Sequence, residues 1–239
     1  MGGYFGAVST RDVTMDVFYG TDYHSHLGTR RGGMAIYDAE TGFSREIHNI
    51  ENSPFRTKFE DNVNDMTGTA GIGCISDTDP QPLLIRSNHG CYAIGFVGRI
   101  NNADALMKQY LSFSGGHFEA MSGGKVNATE ILASMIDQKS DFVSGLRFAQ
   151  EQIEGSASIL ILTDEGKIIA ARDRLGRTPM LIGKDENGHS VSFESFAYEK
   201  LGYETVYELG PGEIVEITEK KYKVLAPALK DMCICSFLW

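Results

Sequence analysis

The 239-residue sequence lacks a long apolar run, a closely spaced cysteine pair and an excess of positive charge. No apolar stretch approaches the roughly 20 residues that a membrane-spanning helix needs. The N-terminus has no basic segment followed by an apolar one, so a signal peptide is not expected. The four cysteines form no C-x-x-C pair. Together these absences predict a cytoplasmic protein with reduced thiols.

The charge balance argues against nucleic acids and membranes as partners. There are 32 acidic residues against 22 basic ones, which gives a net charge of −10. A field of this sign repels phosphate backbones and anionic lipids, so neither a nucleic-acid partner nor a membrane surface is expected. His24 and His26 are two residues apart and would face different sides of a helix, so no metal site is predicted. No cofactor motif is present either.

What is present is the composition of a globular protein, with 42% hydrophobic and 23% charged residues. Short apolar runs rich in Ile, Val, Ala and aromatic residues predict strands that come in two groups. The tripeptide Asp164-Glu165-Gly166 predicts a tight hairpin between two of them. We expect two stacked, mainly antiparallel sheets flanked by helices, which is an α+β fold. The predicted strands are 4–9, 33–38, 69–75, 92–97, 158–163, 167–172, 180–183, 190–194 and 213–218.

Four helices are predicted between the strands from apolar periodicity and capping residues. A glycine-rich loop is expected over 114–125. There is no repeat and no linker rich in proline, so one domain is expected. The helices begin at Asp12 (ending near His26), at Asn102 or Ala103 (ending near Phe113), at Asn127 or Thr129, and at Ser140.

Seven segments, in order, resemble the glutaminase domain of glutamine phosphoribosylpyrophosphate amidotransferases. In that family, the glutaminase domain is a class II glutamine amidotransferase domain of the N-terminal-nucleophile hydrolase type. The resemblance covers nearly all of the chain. The segments are Gly3-x-x-Gly6, the stretch from His26 to Ala35 (HLGTRRGGMA), Gly71-Ile72-Gly73, Pro80-Gln81-Pro82, Thr129-Glu130-Ile131-Leu132, Arg172-Asp173-x-x-Gly176-x-x-Pro179 and Leu209-Gly210-Pro211-Gly212-Glu213.

The resemblance implies a four-layer αββα sandwich over residues 1–230. It also implies that residues 231–239 begin a truncated, phosphoribosyltransferase-like C-terminal domain, because the run from Cys233 to Trp239 is similar to the strand that leads into that domain. The expected partner is therefore a downstream phosphoribosyltransferase-like domain. Since the family forms dimers and tetramers, a homo-oligomer is expected as well.

The chemistry of this family needs a nucleophile on the residue after the initiator methionine, activated by its own α-amino group. It also needs oxyanion donors, a cation for the substrate carboxylate and an anion for its ammonium. By resemblance, these positions are Gly2 for the cysteine nucleophile, Val97-Gly98 for the oxyanion Asn-Gly pair, Ser76 for the carboxylate-binding arginine, and Ala128 for the ammonium-binding aspartate.

Three further features of the sequence bear on the predicted site. Asp77, beside Ser76, would repel a carboxylate. Arg30 lies in the segment that contacts substrate in the family, although a solvated turn is the alternative interpretation. Arg172, Asp173, Arg174 and Arg177 form a local charged cluster, which is interpreted as loop bracing rather than as a ligand site.

The expected function is that of a glutaminase-like domain without catalytic residues, structural or regulatory for a downstream domain. In this interpretation it is a pseudoenzyme related to purine biosynthesis. Two alternatives stay open. One is a functional amidophosphoribosyltransferase that uses glutamine or ammonia. The other is a small-molecule binding module that uses the vacated pocket.

Overall fold

The computed structural model describes residues 2–236. Two antiparallel sheets, of seven and six strands, stack face to face, and a two-stranded ribbon lies apart from them. The strands are β1 (Gly2–Ser9), β2 (Arg31–Asp38), β3 (Gly42–Asn49), β4 (Ala70–Ser76), β5 (Leu83–Ser87), β6 (Gly90–Ile100), β7 (Met121–Ser122), β8 (Lys125–Val126), β9 (Gly155–Thr163), β10 (Ile168–Ala171), β11 (Leu181–Lys184), β12 (Gly188–Ser192), β13 (Glu204–Glu208), β14 (Ile214–Ile217) and β15 (Tyr222–Ala226).

The seven-stranded sheet has the order β13-β11-β12-β1-β4-β2-β3, and the six-stranded sheet has the order β15-β14-β10-β9-β6-β5. Helices cover the outer face of each sheet. Short 3₁₀ turns occur at Ser25–Leu27 and Asn62–Asp65. The helices are α1 (Thr14–Asp22), α2 (Phe55–Phe59), α3 (Ala103–Ser114), α4 (Ala128–Ile136), α5 (Phe142–Gln152) and α6 (Phe196–Leu201).

The two sheets and the helices on their outer faces form four layers. Three clusters of buried side chains, one at each interface, hold these layers together. Because successive strand residues point to opposite faces, Phe5 and Ala7 of β1 pack with α1, α2 and α6, whereas Tyr4 and Val8 pack between the sheets. The outer face of the six-stranded sheet packs on α3, α4 and α5, with Leu132 fully buried in that layer. The predicted αββα sandwich is therefore confirmed.

All nine predicted strands occur, with ends shifted by up to three residues, and Asp164-Glu165-Gly166 forms the predicted hairpin between β9 and β10. The short β7–β8 ribbon was not predicted, and neither were β3, β5, β13 and β15. Each of these last four is an edge strand of its sheet. An edge strand is only half covered and needs less apolar sequence, so its hydrophobic signal is weak.

The helix starts differ in detail from the predictions. Asn127 caps α4 by accepting a hydrogen bond from the Thr129 backbone N–H at 2.8 Å. The prediction of Ser140 as the cap of α5 was wrong. Asp141 is the cap and accepts from the Ser144 N–H at 2.9 Å. The first helix ends at Asp22 rather than near His26, and a 3₁₀ turn follows it.

Glycine allows α1 to lie directly on β4. A Cβ atom on Gly73 would be 1.9 Å from Thr21 Oγ1 of α1, and one on Gly71 would be 3.0 Å from Val17 Cγ2 of α1 and 2.5 Å from Ile36 Cδ1 of β2. Neither position has room for a side chain. The helix and the strand thus meet at close range beside the start of β1, which positions the candidate site.

The described residues after β15 form an extended segment along the surface. Its backbone is held by hydrogen bonds from Cys233 N to Leu175 O (2.8 Å) and from Cys235 N to Arg177 O (3.0 Å). Residues 231–239 were predicted to begin a C-terminal domain. The last three of them, residues 237–239, lie outside the described residues. Among residues 2–236, no helix has the length and apolar character required to cross a membrane.

Candidate functional site

Gly2 opens β1 in the interior of the seven-stranded sheet and pairs with Ser76 of β4. Gly2 is buried. A Cβ atom built on Gly2 would lie 2.2 Å from the carbonyl oxygen of Ile75. The position therefore lacks a nucleophilic side chain, and the backbone of β4 occupies the space where one would begin.

Ser76 and Asp77 follow directly at the end of β4. The Ser76 hydroxyl oxygen accepts hydrogen bonds from the backbone N–H groups of Thr78 (3.2 Å) and Asp79 (3.3 Å). Asp77 Oδ1 accepts one from Thr29 N at 2.8 Å. Both side chains are thus engaged in shaping this turn. A hydroxyl that accepts from the backbone carries no positive charge for a carboxylate.

Asp77 is a negative group at the same end of the strand. Partial burial alone would raise the pKa of its carboxyl, but its contacts, among them the hydrogen bond from Thr29 and the charge of Arg30, outweigh burial and lower the pKa. Asp77 is consequently ionised at neutral pH. Its carboxylate places a negative charge at this wall of the cavity.

Val97 and Gly98 lie on β6, which faces β1 across the two sheets. The amide of the Gln81 side chain fixes this part of β6, donating to Phe96 O (2.7 Å) and accepting from Phe96 N (2.8 Å). Gly98 has a φ of +150°, and a Cβ atom there would be 2.1 Å from Ser156 O. Glycine is therefore required at 98, while the apolar Val97 offers no hydrogen bond to an oxyanion.

Five of the seven predicted site residues line one cavity of about 360 Å³: Gly2, Ser76, Asp77, Val97 and Gly98. Arg30 and Ala128 do not line it. The Arg30 side chain is 64% exposed and lies 3.8 Å from a Glu51 carboxylate oxygen. Ala128 begins α4, and burial raises the pKa of the Asp79 carboxyl, which lies near the Ala128 backbone N–H.

The remaining walls of the cavity come from several parts of the chain. Arg99 extends the β6 wall, Ser156 lies beside it on the paired strand β9, and Arg177, Thr178 and Cys235 complete the lining. Arg177 and Thr178 lie in the 172–179 segment, whose charged cluster was interpreted as loop bracing rather than as a ligand site. The Cys235 thiol is the one thiol that lines the cavity in the described part of the chain. Cys74, by contrast, is buried in the core, where burial raises its thiol pKa to about 12.

The charged loop after β10 is a bracing network, as predicted. Arg172 is 3% exposed and donates to Thr178 O (2.8 Å), Gly176 O (3.1 Å) and Leu209 O, and it pairs with Glu208 at 3.0 Å. Every arm of this guanidinium has a protein partner. It is therefore unavailable to a ligand, and it fixes the wall that carries Thr178.

Asp173 completes the bracing. Its carboxylate accepts from the backbone N–H groups of Ala157, Leu175 and Arg177 at 3.1 to 3.2 Å. The Arg177 guanidinium lies 3.3 Å from the same carboxylate and donates to Gly155 O at 2.6 Å. Arg177 thus closes the cavity with a charge that is already paired.

His24 is a structural histidine beneath the start of β1. It is fully buried, with Nδ1 2.6 Å from Gly20 O, and its Nε2 accepts from the Glu194 N–H at 3.2 Å. Burial lowers its pKa from 6.5 to about 4, so it is neutral at pH 7. Among residues 2–236, no three His, Cys, Asp or Glu side chains gather closely enough to hold a metal ion.

The lining of the cavity can be compared with what amide hydrolysis by an N-terminal nucleophile needs. The first residue after the initiator methionine has no side chain to attack a carbonyl, and the Val97 side chain donates nothing to an oxyanion. The one unpaired cation at the wall is Arg99, which makes no hydrogen bond or ion pair with residues 2–236. The cavity can accommodate a small molecule but presents no assembled nucleophile and base.

Comparisons with known proteins agree with this fold. The chain is 29% identical over 231 residues to the amidophosphoribosyltransferase of Methanocaldococcus jannaschii, covering 92% of this chain and 47% of the relative. It is 26% identical over 232 residues to that of Bacillus subtilis, with 92% and 47% covered. The chain thus spans about half the length of these relatives.

A solved structure shares the fold. Glutamine phosphoribosylpyrophosphate amidotransferase from B. subtilis, complexed with ADP and GMP, superposes with a TM-score of 0.85 at 24% identity, over 98% of this chain and 51% of that one. The family model of the glutamine amidotransferase domain matches residues 70–198, which is more than half of the chain. On these grounds the chain belongs to the glutamine amidotransferase domain family and resembles the amidophosphoribosyltransferases within it.

Proposed function

We propose that this chain is a glutaminase-like domain of an amidophosphoribosyltransferase-like protein that does not hydrolyse glutamine. The observation that carries the proposal is Gly2. The nucleophile position has no side chain, and a Cβ atom there would meet Ile75 O at 2.2 Å. Loss of the nucleophile alone costs orders of magnitude in rate. The neutral Ser76, the negative Asp77 and the apolar Val97 remove substrate binding as well.

Under this proposal, Gly2, Ser76, Asp77, Val97 and Gly98, with Arg30 and Ala128 just outside the cavity, are the vestige of a glutamine pocket. The intact framework supports a structural role: α1 packs on glycines of β4, and the loop of Arg172 is fully hydrogen-bonded. Residues 1–230 would form this domain, with residues 231–239 leading into a phosphoribosyltransferase-like domain that it packs against and orders.

The test is to incubate the domain, and the full-length protein, with glutamine and to follow release of ammonia and glutamate. The B. subtilis relative, assayed in parallel, is the positive control. We expect no release above the buffer blank. Turnover of about 1 s⁻¹ or faster, which is ordinary for enzymes, would overturn the proposal. A Cys235→Ser variant then reports whether the thiol at the cavity wall is responsible.

A second candidate is that the whole protein still makes a phosphoribosyl amine, with free ammonia in place of glutamine. It is favoured by the coverage of 92% of this chain by relatives named amidophosphoribosyltransferase. Product formation by the full-length protein from ammonia, but not from glutamine, would support this candidate together with the first one. Light scattering on the same sample tests the homo-oligomer that the resemblance implies.

The vacated cavity suggests a third candidate, a binding module. Its volume of about 360 Å³ is sufficient for a small molecule. A thermal-shift screen with amino acids and nucleotides tests it, because a ligand at about 100 times its Kd adds roughly 2.7 kcal/mol of stability. An unchanged melting temperature with all of them counts against this candidate.

A further inference from the structure

A second and larger cavity, of about 620 Å³, lies away from the site described above and shares no lining residue with it. It is a groove at one open edge of the sandwich. The edge strand β5 and helix α4 form its floor, and residues 117–120, which precede the β7–β8 ribbon, form its outer wall. Arg45, from the edge strand β3 of the other sheet, completes the rim.

Two arginines from different sheets line this groove. Phe43 and Leu84 pack against the core between the sheets. Arg45 and Arg86 lie two residues further along the same two strands and thus on the same strand faces, at the exposed end of that interlayer space. Neither guanidinium makes a hydrogen bond or an ion pair with residues 2–236. Two unpaired like charges on one groove repel each other, and an anion between them would relieve that repulsion.

The carboxylates that line the groove are already engaged. Glu130 accepts the backbone N–H groups of Glu119 (2.9 Å) and Ala120 (2.8 Å), one on each oxygen, and so holds the outer wall in place. Asp137 accepts the Tyr92 hydroxyl at 3.0 Å, and burial raises its pKa. Their hydrogen-bonding capacity is directed to the protein, whereas that of the two arginines is not.

The outer wall also offers an aromatic surface. The rings of Tyr110 and Phe118 lie with their centroids 5.3 Å apart and tilted by 53°, and both line the groove. Beside them the exposed His117 pairs with the Glu119 carboxylate at 3.2 Å. The groove thus has an unpaired cationic rim and an aromatic wall, which is the combination that recognises an anionic group carried on a flat ring.

We propose that this groove binds a small aromatic anion, a ring that carries a phosphate or a carboxylate group, with Arg45 and Arg86 holding the anion and Tyr110 and Phe118 packing on the ring. Because the chain as a whole has a net charge of −10, its general field repels such a ligand. Binding therefore depends on these two local cations and weakens with added salt.

The probe is phenyl phosphate, titrated calorimetrically into the protein at low ionic strength. Inorganic phosphate supplies the anion alone, benzyl alcohol the ring alone, and benzoate the carboxylate counterpart. We expect phenyl phosphate to bind about two- to tenfold more tightly than inorganic phosphate, which is the usual contribution of an aromatic contact. Benzyl alcohol should give no heat. The ranking of benzoate against phenyl phosphate identifies which anion the rim prefers.

Variants locate the binding. Arg45→Gln and Arg86→Gln should each weaken phenyl phosphate about tenfold or more, as expected for the loss of a charge-assisted hydrogen bond. Tyr110→Leu should weaken phenyl phosphate but leave inorganic phosphate unchanged. The matched control is Arg174→Gln, an exposed arginine that lines a different cavity. Absence of binding by the unmodified protein, or equal binding by the rim variants and the control, overturns the proposal.

Discussion

The loop of Arg172 and the cavity of Gly2 lie side by side, yet they differ in how completely they are built. In the loop, the buried guanidinium of Arg172 and the carboxylate of Asp173 have hydrogen-bond partners on every side. In the cavity, the nucleophile position has no side chain and Arg99 has no partner among residues 2–236. The hydrogen-bonding requirements of the fold are met in the loop, whereas the cavity has no side chain at the position where we propose that a nucleophile once stood.

The difference shows that residues kept for packing and residues kept for chemistry can be separated within one site. Gly73 and Gly98 are needed because backbone or helix atoms occupy the space of a Cβ, and their requirement persists whatever the cavity binds. Ser76 shapes the turn after β4 and Val97 is buried in the core, at positions where, under the proposal, glutamine hydrolysis would need a cation and an oxyanion donor. Stability measurements should therefore be sensitive to the loop, and activity measurements insensitive to the cavity.

The largest effect is expected in the loop. Arg172→Ala removes a guanidinium that is 3% exposed and leaves the carbonyls of Gly176, Thr178 and Leu209 without their donor. Breaking such a buried network costs about 3–5 kcal/mol. Urea unfolding followed by circular dichroism measures it. The control Arg174→Ala should stay within about 0.5 kcal/mol, and a loss below about 1 kcal/mol for Arg172→Ala would contradict the bracing role.

A pH dependence should come from His24, which supports the start of β1 beside the cavity. Burial lowers its pKa from 6.5 to about 4, so between these values the unfolded chain binds a proton that the folded chain does not. Protonation of His24 therefore does not lower the free energy of unfolding above about pH 6.5. As the pH drops towards 4, the free energy of unfolding falls by up to about 3 kcal/mol.

Urea midpoints measured from pH 7 to pH 4 test this, with His24→Gln as the variant that cannot titrate. The difference between the unmodified protein and His24→Gln should shrink as the pH falls. His26→Gln, at a side chain that is 56% exposed, should retain the full pH dependence. A His24→Gln profile parallel to that of the unmodified protein would rule out this assignment.

Sequence patterns predicted the fold well where burial is complete. The central strands β1, β4, β6 and β9 are continuous apolar runs in the protein interior, so their hydrophobic signal is strong. The edge strand β3 (Gly42–Asn49) has only two large apolar residues, Phe43 and Ile47, and was missed. The cap of α5 was misplaced by one residue because Ser140 and Asp141 are both good caps, and only the backbone geometry distinguishes them.

Only those parts of the candidate site that lie in or near the ordered sequence segments could be predicted from the sequence. Ordered segments indicated five positions that the structure gathers around one cavity, although their history as a glutamine pocket stays a prediction. Arg99, Thr178 and Cys235 complete the walls from three separate parts of the chain. Their proximity follows from the stacking of the sheets and from the terminal segment that bonds to Leu175 and Arg177, which no local pattern encodes.

A smaller effect is expected at the cavity itself. Gly2→Cys supplies the missing thiol, but its Cβ atom must displace the backbone at Ile75 O. We expect a cost of about 1–3 kcal/mol, typical of overpacking, and no glutaminase activity, since Ser76 and Val97 still lack the required groups. Gly2→Ala separates the two causes and should cost the same as Gly2→Cys. Glutamate release by Gly2→Cys at ordinary enzyme rates would show that one residue alone disables the site.

The smallest effect should be at Arg30, the predicted substrate-segment residue that lies outside the cavity. Its side chain is 64% exposed, and its ion pair with Glu51, at 3.8 Å, is solvated, so Arg30→Gln should change the free energy of unfolding by less than about 0.5 kcal/mol. High salt should erase even that difference. Urea unfolding at low and high ionic strength measures both quantities. A cost above 1 kcal/mol that persists in salt would mean that Arg30 belongs with the braced loop rather than with the solvated turn.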